Sequence, residues 1–440
     1  MQSGQTKYGI GMTVSACLWL GLFPLLQFGT FSSLTRDKWI IMFILGCVTL
    51  AGFIADCFCR RVSRPRPLPL LLGGGLLLWM LFSCLLCPYP GTPWWIGAGR
   101  REGLAAQLCY IGVFFLFSFS RVRRVPVVIS SACGVFAFLA VVLLQRAGGN
   151  PFGLYPGSHS YATSPGFQGT IGNVDMCAGY LLIAAGLFVP ALFDSVRLAF
   201  RSFREKNTAD TAVISVFLLS AALAACVYLF VTMEVRFGLL AFAVLVVWTL
   251  IRFLPARFRV PVLLLLMVAA LVLVWCFPFA QVSTLHELHE TLHGRAKADY
   301  GTGRIGVWTY TLRMLRDEGR LLFGTGADTY ATRFNAYLQQ YFRAHPEAEH
   351  LRYYYDNPHN EYLALLANFG LPALLLFAAL MIVGCFGGKP WRDSVLCYGI
   401  QAFFSFSVCI VAPMFWVVLG LSVSALSPKK SGSALQKPEA

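Results

Sequence analysis

The sequence predicts an all-α, polytopic membrane protein of about twelve transmembrane helices carrying one large, partly helical extracytoplasmic loop. Three observations lead there. Of its 440 residues, 57% are hydrophobic and only 12% are charged, with a mean hydropathy of +0.66; a soluble domain carries about a quarter charged residues. The apolar residues fall in blocks of about 20, the length that crosses ~30 Å of hydrocarbon as a helix. They do not alternate with period two as in a barrel, which leaves helices as the spanning solution. Lys and Arg also recur in alternate short connections, a distribution that sets orientation in the membrane.

The apolar blocks give spans at 9–30, 39–57, 68–87, 103–119, 127–145, 174–195, 211–232, 237–254, 260–280, 361–385, 394–410 and 412–427, the last two divided only near Pro413. The first is not followed by a small-residue cleavage site and is read as a retained helix. Arg60, Arg61, Arg64 and Arg66 occupy one connection, Arg121, Arg123 and Arg124 a second, Arg197, Arg201, Arg204 and Lys206 a third, and Arg252, Arg257 and Arg259 a fourth. With twelve spans these four lie on one side, joined by Lys389, Arg392, Lys429 and Lys430. That side is then cytoplasmic, both termini are inside, and the loop at 281–358 faces outward. Residues 1–427 form one integral membrane unit, and the basic tail at 428–440 is expected to be disordered. No repeat of about 20–50 residues suggests an added helical array.

The net charge of +15 is spread among short membrane loops and not gathered on one domain, so nucleic acid is not an expected partner. Anionic lipid headgroups are. All fourteen cysteines lie in or at the ends of predicted spans, so no disulfide framework is expected. Cys84 and Cys87, a CxxC, read as small buried apolar residues.

The large loop opens with a polar segment at 281–300. A joint at Gly301 and Gly303 leads into a helix at 304–318, on which Ile305, Trp308, Leu312 and Leu315 recur at helical spacing. Gly319 ends that helix. After the turn Gly324-Thr325-Gly326, a stretch rich in Tyr, Phe and Arg reaches Asp356-Asn357-Pro358-His359-Asn360, where Pro358 disfavours helix at Asn357. Two smaller outer loops are at 88–102, with Trp94, Trp95, Arg100 and Arg101, and at 147–172.

Several polar residues on the outward side could carry chemistry. Arg236 sits in the short turn Met233-Glu234-Val235-Arg236-Phe237-Gly238, where a charge at the membrane edge marks either a functional site, a pair with Glu234 or a headgroup contact. Arg304 opens the loop helix with Trp308 one turn on, on the same face. A guanidinium there can fork onto phosphate oxygens, or be an ordinary solvated arginine. Arg313, Arg316 and Arg320 read as the polar face and C-terminal charges of the helix. His359, where the chain returns to the membrane ahead of Asn360 and Glu361, has the side chain whose pKa suits a base near neutrality, or serves as an interfacial polar residue. The pattern His289-Glu290-Thr291-Leu292-His293 spells H-E-x-x-H, a zinc-protease signature if helical. The Gly-x-x-His continuation of one protease class is missing, and a solvated polar helix is the preferred reading of the pattern.

In order along the chain stand Gly172-Asn173-Val174-Asp175, Arg236-Phe237-Gly238, Arg304 with Trp308, Phe323-Gly324-Thr325-Gly326, Pro358-His359-Asn360-Glu361-Tyr362-Leu363 and Asn368-Phe369-Gly370-Leu371-Pro372. With this ordered set the chain resembles the O-antigen ligase and O-antigen polymerase superfamily of bacterial inner-membrane glycosyltransferases, most strongly over 170–425. Gly99-Arg100-Arg101-Glu102-Gly103 is similar to a loop of some members.

The resemblance implies transfer of a glycan from an undecaprenyl-diphosphate carrier to a hydroxyl acceptor on the outer face of the cytoplasmic membrane, with no metal or other cofactor. It implies that Arg236 and Arg304 hold the diphosphate and that His359 is the base. Asn360, Trp308, Arg100 and Tyr355 are the expected substrate-binding residues; Tyr353 and Tyr354 share the aromatic run with Tyr355, which could stack on sugars or anchor at the interface. Ligation and repeat-unit polymerisation both fit, and a transporter and the zinc protease remain as other classes.

Overall fold

Apolar blocks that can satisfy their backbone only internally fold as helices, and they do so throughout the computed structural model, which describes residues 8–89, 94–98, 100–155, 167–205, 210–279, 283–348, 351, 354–388, 390–406 and 408–424. The first nine predicted spans each carry one. They are α1 (Ile10–Cys17, continuing through a π turn at Leu18–Leu22 and a 3-10 turn at Phe23–Leu25), α2 (Leu34–Phe58), α3 (Pro67–Leu85), α4 (Leu104–Ser118), α5 (Arg124–Arg146), α6 (Val174–Arg204), α7 (Asp210–Thr232), α8 (Arg236–Ile251) and α9 (Ala256–Cys276). Among the described residues six helices are long and apolar enough to cross a membrane, and five shorter apolar helices accompany them. The central α6 has 89% of its spanning window buried, whereas none of the window of α9 is. An apolar helix left this open suits a lipid-facing edge.

Two of the last three predicted spans differ from expectation. The block at 361–385 is two helices, α13 (Glu361–Phe369) and α14 (Leu371–Cys385), broken at Gly370 with φ +82. A Cβ there would collide with the carbonyl of Leu322, so only glycine fits. The loop fills the break: Leu371 N–H donates to Leu321 O, and the N–H groups of Thr325 and Gly326 donate to Asn368 O at 2.9 and 2.7 Å. The block at 394–410 is helical only as α15 (Trp391–Ala402), and an irregular stretch carrying Phe404 and Phe406 leads into α16 (Ala412–Ser424). The division therefore falls just ahead of Pro413, which lies in the first turn of α16, where its missing N–H costs nothing.

Three further helices form the large loop: α10 (Ser283–Leu292), α11 (Arg304–Asp317) and α12 (Tyr330–Ala344). Val307, Tyr310 and Met314 of α11 pack with Tyr330, Phe334 and Leu338 of α12 and with Leu363 and Leu366 of α13. The loop thus shares its core with the membrane helix it precedes. The only strands among the described residues are β1 (Phe167–Gln168) and β2 (Gly172–Asn173), a minimal antiparallel hairpin. It ends at Asn173, whose side chain accepts the Asp175 N–H at 2.8 Å and caps α6.

The basic connections meet at one end of the bundle. Val62 bridges Ser120, Gly9 N–H donates to Arg121 O, Arg124 pairs with Asp194 at 2.7 Å, Arg197 lies over the Phe253 ring, and Arg252 pairs with buried Asp393. The loop helices, the hairpin and the first turns of α4, α6 and α8 lie at the other. The tail at 428–440 lies outside the described residues.

Candidate active site

Asp175, in the first turn of α6, is the centre of a polar cluster at the loop end. Its Oδ2 accepts a bond from Arg304 Nη2 at 3.0 Å and lies 4.0 Å from His359 Nδ1. Gln401 Nε2 donates to the Asp175 carbonyl at 3.2 Å. The side chains of Asp175 and Arg304 are 17% and 12% exposed, so this is a pair in a partly dehydrated setting, where electrostatic interactions gain strength.

The local backbone aims Arg304. Gly301, Thr302 and Gly303 all have left-handed φ, +62, +58 and +85, which reverses the chain just before α11. Thr302 is the strained member, since a β-branched residue in that region costs about 1–3 kcal/mol. Its hydroxyl accepts from Arg304 Nη1 at 2.8 Å, as does Gly301 O at 3.2 Å. The guanidinium carbon lies 5.4 Å from the centre of the Phe237 ring, a cation–π contact. Phe237 in turn stacks on Phe404 at 4.0 Å.

His359 also has a left-handed φ, +50. The turn is held by the Asn357 side chain, which accepts the His359 N–H at 2.9 Å, and by Trp308, whose indole N–H donates to Pro358 O at 2.8 Å. The imidazole meets the Phe406 ring edge-to-face at 5.1 Å. Burial, followed by the Arg304 charge, pushes its pKa below the ordinary histidine value, against the opposing pull of Asp175 and Asp356. The ring is therefore neutral near pH 7, the form that can accept a proton. Among the described residues its Nδ1 and the Arg304 Nε have no hydrogen-bond partner.

Other predicted residues join the cluster with different roles. Arg100 Nε donates to Asp356 at 2.6 Å, and the guanidinium lies over Phe406 at 5.1 Å, so Arg100 reaches the ring that His359 also touches. Trp308 pins the Pro358 carbonyl and packs edge-on against Phe403. Asn360, expected to bind substrate, is 5% exposed and caps α13 by accepting the Leu363 N–H at 3.0 Å; its first duty is to start the helix. Tyr355 is clamped by Asn335, whose amide donates to Tyr355 O and whose oxygen accepts the Tyr355 N–H, with its ring against Phe334. Tyr354 is exposed, and Tyr353 lies outside the described residues.

Arg236 is exposed at the first turn of α8, and its Nη1 donates to Thr284 on α10 at 2.7 Å. It is the neighbouring Phe237, and not Arg236, whose contact with Arg304 is seen. The sequence reading missed Phe406, and quoted Asp175, Phe237 and Asp356 without giving them a task. An ionisable residue at the very start of an apolar helix was the available signal for Asp175.

The H-E-x-x-H segment does not form a protease centre. Glu290 receives both Nε and Nη2 of Arg295 at 2.8 and 2.7 Å, which brings its pKa down to about 2 and removes its basicity. His289 and His293 bond through Nδ1 to the carbonyls of Val274 and His289. No group of three or more His, Cys, Asp or Glu side chains is arranged to hold a metal among the described residues.

No curated protein matches the chain. A family model described as O-antigen ligase matches residues 220–378, a stretch containing Arg236, Arg304, Trp308, Tyr355, His359 and Asn360 but not Arg100, Asp175 or Phe406. Over that stretch, about a third of the chain, the protein is similar to the O-antigen ligase family.

Proposed function

We propose that the protein transfers a glycan from an undecaprenyl-diphosphate carrier to a hydroxyl acceptor at the outer face of a bacterial cytoplasmic membrane. The observation that carries this reading is the juxtaposition of an imidazole with a largely buried guanidinium across one carboxylate, His359 and Arg304 on Asp175. The acceptor oxygen attacks the anomeric carbon as the bond from that carbon to the diphosphate oxygen breaks. The acceptor proton passes to His359 through Nε2, the nitrogen turned away from Asp175. The leaving diphosphate takes the electron pair, and its growing charge is met by Arg304, with Arg236 at the rim of the same end. Fixed cations in a water-poor site lower such a barrier by a few kcal/mol each. Attack opposite the leaving group inverts the anomeric configuration.

Asp175 is a positioning residue here: it orients Arg304 and faces Nδ1, so that the basic lone pair points outward. Arg100 and Asp356 close the other side around Phe406. Substrate contact by Trp308, Tyr355 and Asn360 is secondary to the turn and helix start they fix.

The test is purified protein given an undecaprenyl-diphosphate glycan and candidate acceptors, with and without chelator. His359→Ala that inserts normally yet leaves transfer unchanged would sink the reading. Ligation and repeat polymerisation use the same groups and separate by product. Loss of long chains with single repeats retained marks a polymerase; intact chains left on the carrier mark a ligase.

A further inference from the structure

A cleft of about 680 Å³ opens between the end of α11 and the exposed face of α12, and shares no residue with the catalytic cluster. Its walls have two characters. Along α12, Tyr337, Tyr341 and His345 recur one turn apart and stack as a ladder, with ring centres 5.8 and 4.3 Å apart. The small, exposed Ala336 and Ala344 beside them leave the floor open. Facing the ladder, Asp317 accepts the Tyr337 hydroxyl at 2.7 Å, and Glu318 receives Arg333 Nε and Nη2 at 3.0 and 2.8 Å. Arg333 is only 3% exposed, so Glu318 is held by a buried anchor.

Fixed carboxylates, the Gln340 amide and aromatic edges with polar tips suit a ligand that offers many hydroxyl donors and flat C–H faces. The cleft is also tied to the reaction centre. Arg333 Nη1 donates to Ala367 O at 2.8 Å, eight residues beyond His359 and so about 12 Å away at ~1.5 Å per helical residue. On the opposite face of α12, Asn335 clamps Tyr355, four residues before His359.

We propose that this cleft binds pyranose units of a glycan distal to the reacting sugar. The proposal rests on the glycan-transfer reading above. The ligand chemistry is common to donor and acceptor, and kinetics separates the two sources.

The probe is carrier-free oligosaccharide of one and of several repeats, released from the host's surface polysaccharide, titrated against full-length protein in nanodiscs. Ala336→Trp fills the floor and Gln340→Ala removes an amide; Gln339→Trp, exposed and outside the cleft, is the control. Binding of the multi-repeat probe should weaken at least tenfold in Ala336→Trp, about 1.4 kcal/mol, and severalfold in Gln340→Ala. The control and His359→Ala should bind as wild type. In transfer assays the loss should appear in KM for long donors if the donor glycan occupies the cleft, or for long acceptors if the acceptor does. Unchanged affinity in both cleft variants overturns the proposal even if transfer depends on His359. Cleft-dependent binding together with transfer indifferent to His359 would overturn the catalytic reading instead.

Discussion

Removing the Asp175 charge should move the titration of His359 downward, and removing the Arg304 charge should move it upward. Both follow from one geometry. Oδ2 of Asp175 stands 4.0 Å from Nδ1 of His359, where two unit charges interact by about 1 kcal/mol in water and about 4 kcal/mol at an effective dielectric of 20. The imidazole is 33% exposed, so solvent screening puts the effect near the lower figure, about one pKa unit at 1.36 kcal/mol per unit. The sign follows from which form works. Neutral His359 accepts the proton, so activity is lost as pH falls through the folded pKa, already depressed in the native protein. In Asp175→Asn the anion that favours imidazolium is gone, and the acidic limb of the kcat profile should move lower by about one unit. In Arg304→Gln the opposing cation is gone, and the limb should move up toward neutrality. Plateau heights will fall in both, by about 10²–10³-fold for Arg304→Gln if it meets the developing charge, so limb position and not rate is the readout. NMR of ¹³C-labelled histidine, with the His359 signal assigned by its loss in His359→Ala, gives the same number without turnover. Limbs moving in the same direction, or a rise in Asp175→Asn, would refute the electrostatic assignment.

Trp308→Phe keeps the ring against Phe403 but frees the Pro358 carbonyl; one neutral hydrogen bond is worth about 1 kcal/mol, so kcat should fall severalfold with unfolding temperature nearly unchanged. Gly370→Ala combines a left-handed φ with a collision at Leu322 O, so it should cost more than the ~1–2 kcal/mol of the conformation alone and show as loss of monodisperse protein on heating in detergent. Arg333→Ala strands Glu318 and empties a buried site; breaking such a pair costs about 3–5 kcal/mol, measurable as an earlier thermal transition. Transfer activity should survive chelator, since Glu290 is neutralised by Arg295; inactivation restored by zinc would return the H-E-x-x-H segment to consideration.

The sequence carries information about local periodicity and almost none about which distant residues meet. The long apolar blocks were therefore legible as helices, while the break at Gly370 was not, because apolar residues continue on both sides of it and the segment that fills it comes from 321–326. The same limit governs the site. Arg304 and His359 stood out as charged or titratable residues at the edges of apolar segments, yet their shared partner lies 129 positions from Arg304. Arg100 finds Asp356 across 256 positions. Phe237 and Phe406 were hidden for a different reason: the chain has 37 phenylalanines, and nothing local marks these two among them. Asn360 carries a second signal besides its chemistry, since an Asn just ahead of an apolar helical run is also a capping residue.

The strain in the cluster says which end of the loop is fixed. A non-glycine residue at φ +50 persists only where its surroundings over-determine it, at a cost of about 1–3 kcal/mol. At His359 three side chains do so: Asn357 on its N–H, Trp308 on the preceding carbonyl, and Asn360 capping the helix that follows. Neutral bonds of this kind contribute about 1 kcal/mol each, enough together to offset the strain. At the other end Thr302 bears a similar cost between two glycines, and the side chain seen to engage its hydroxyl is that of Arg304 itself. A ligand that takes over the Arg304 bonds leaves the Thr302 hydroxyl with its bond to Gly301 O at 2.6 Å as the remaining brace, whereas His359 keeps its three supports whether or not Arg304 is engaged. On the proposed reading the base is built in, and the cation is held by contacts that a diphosphate can replace.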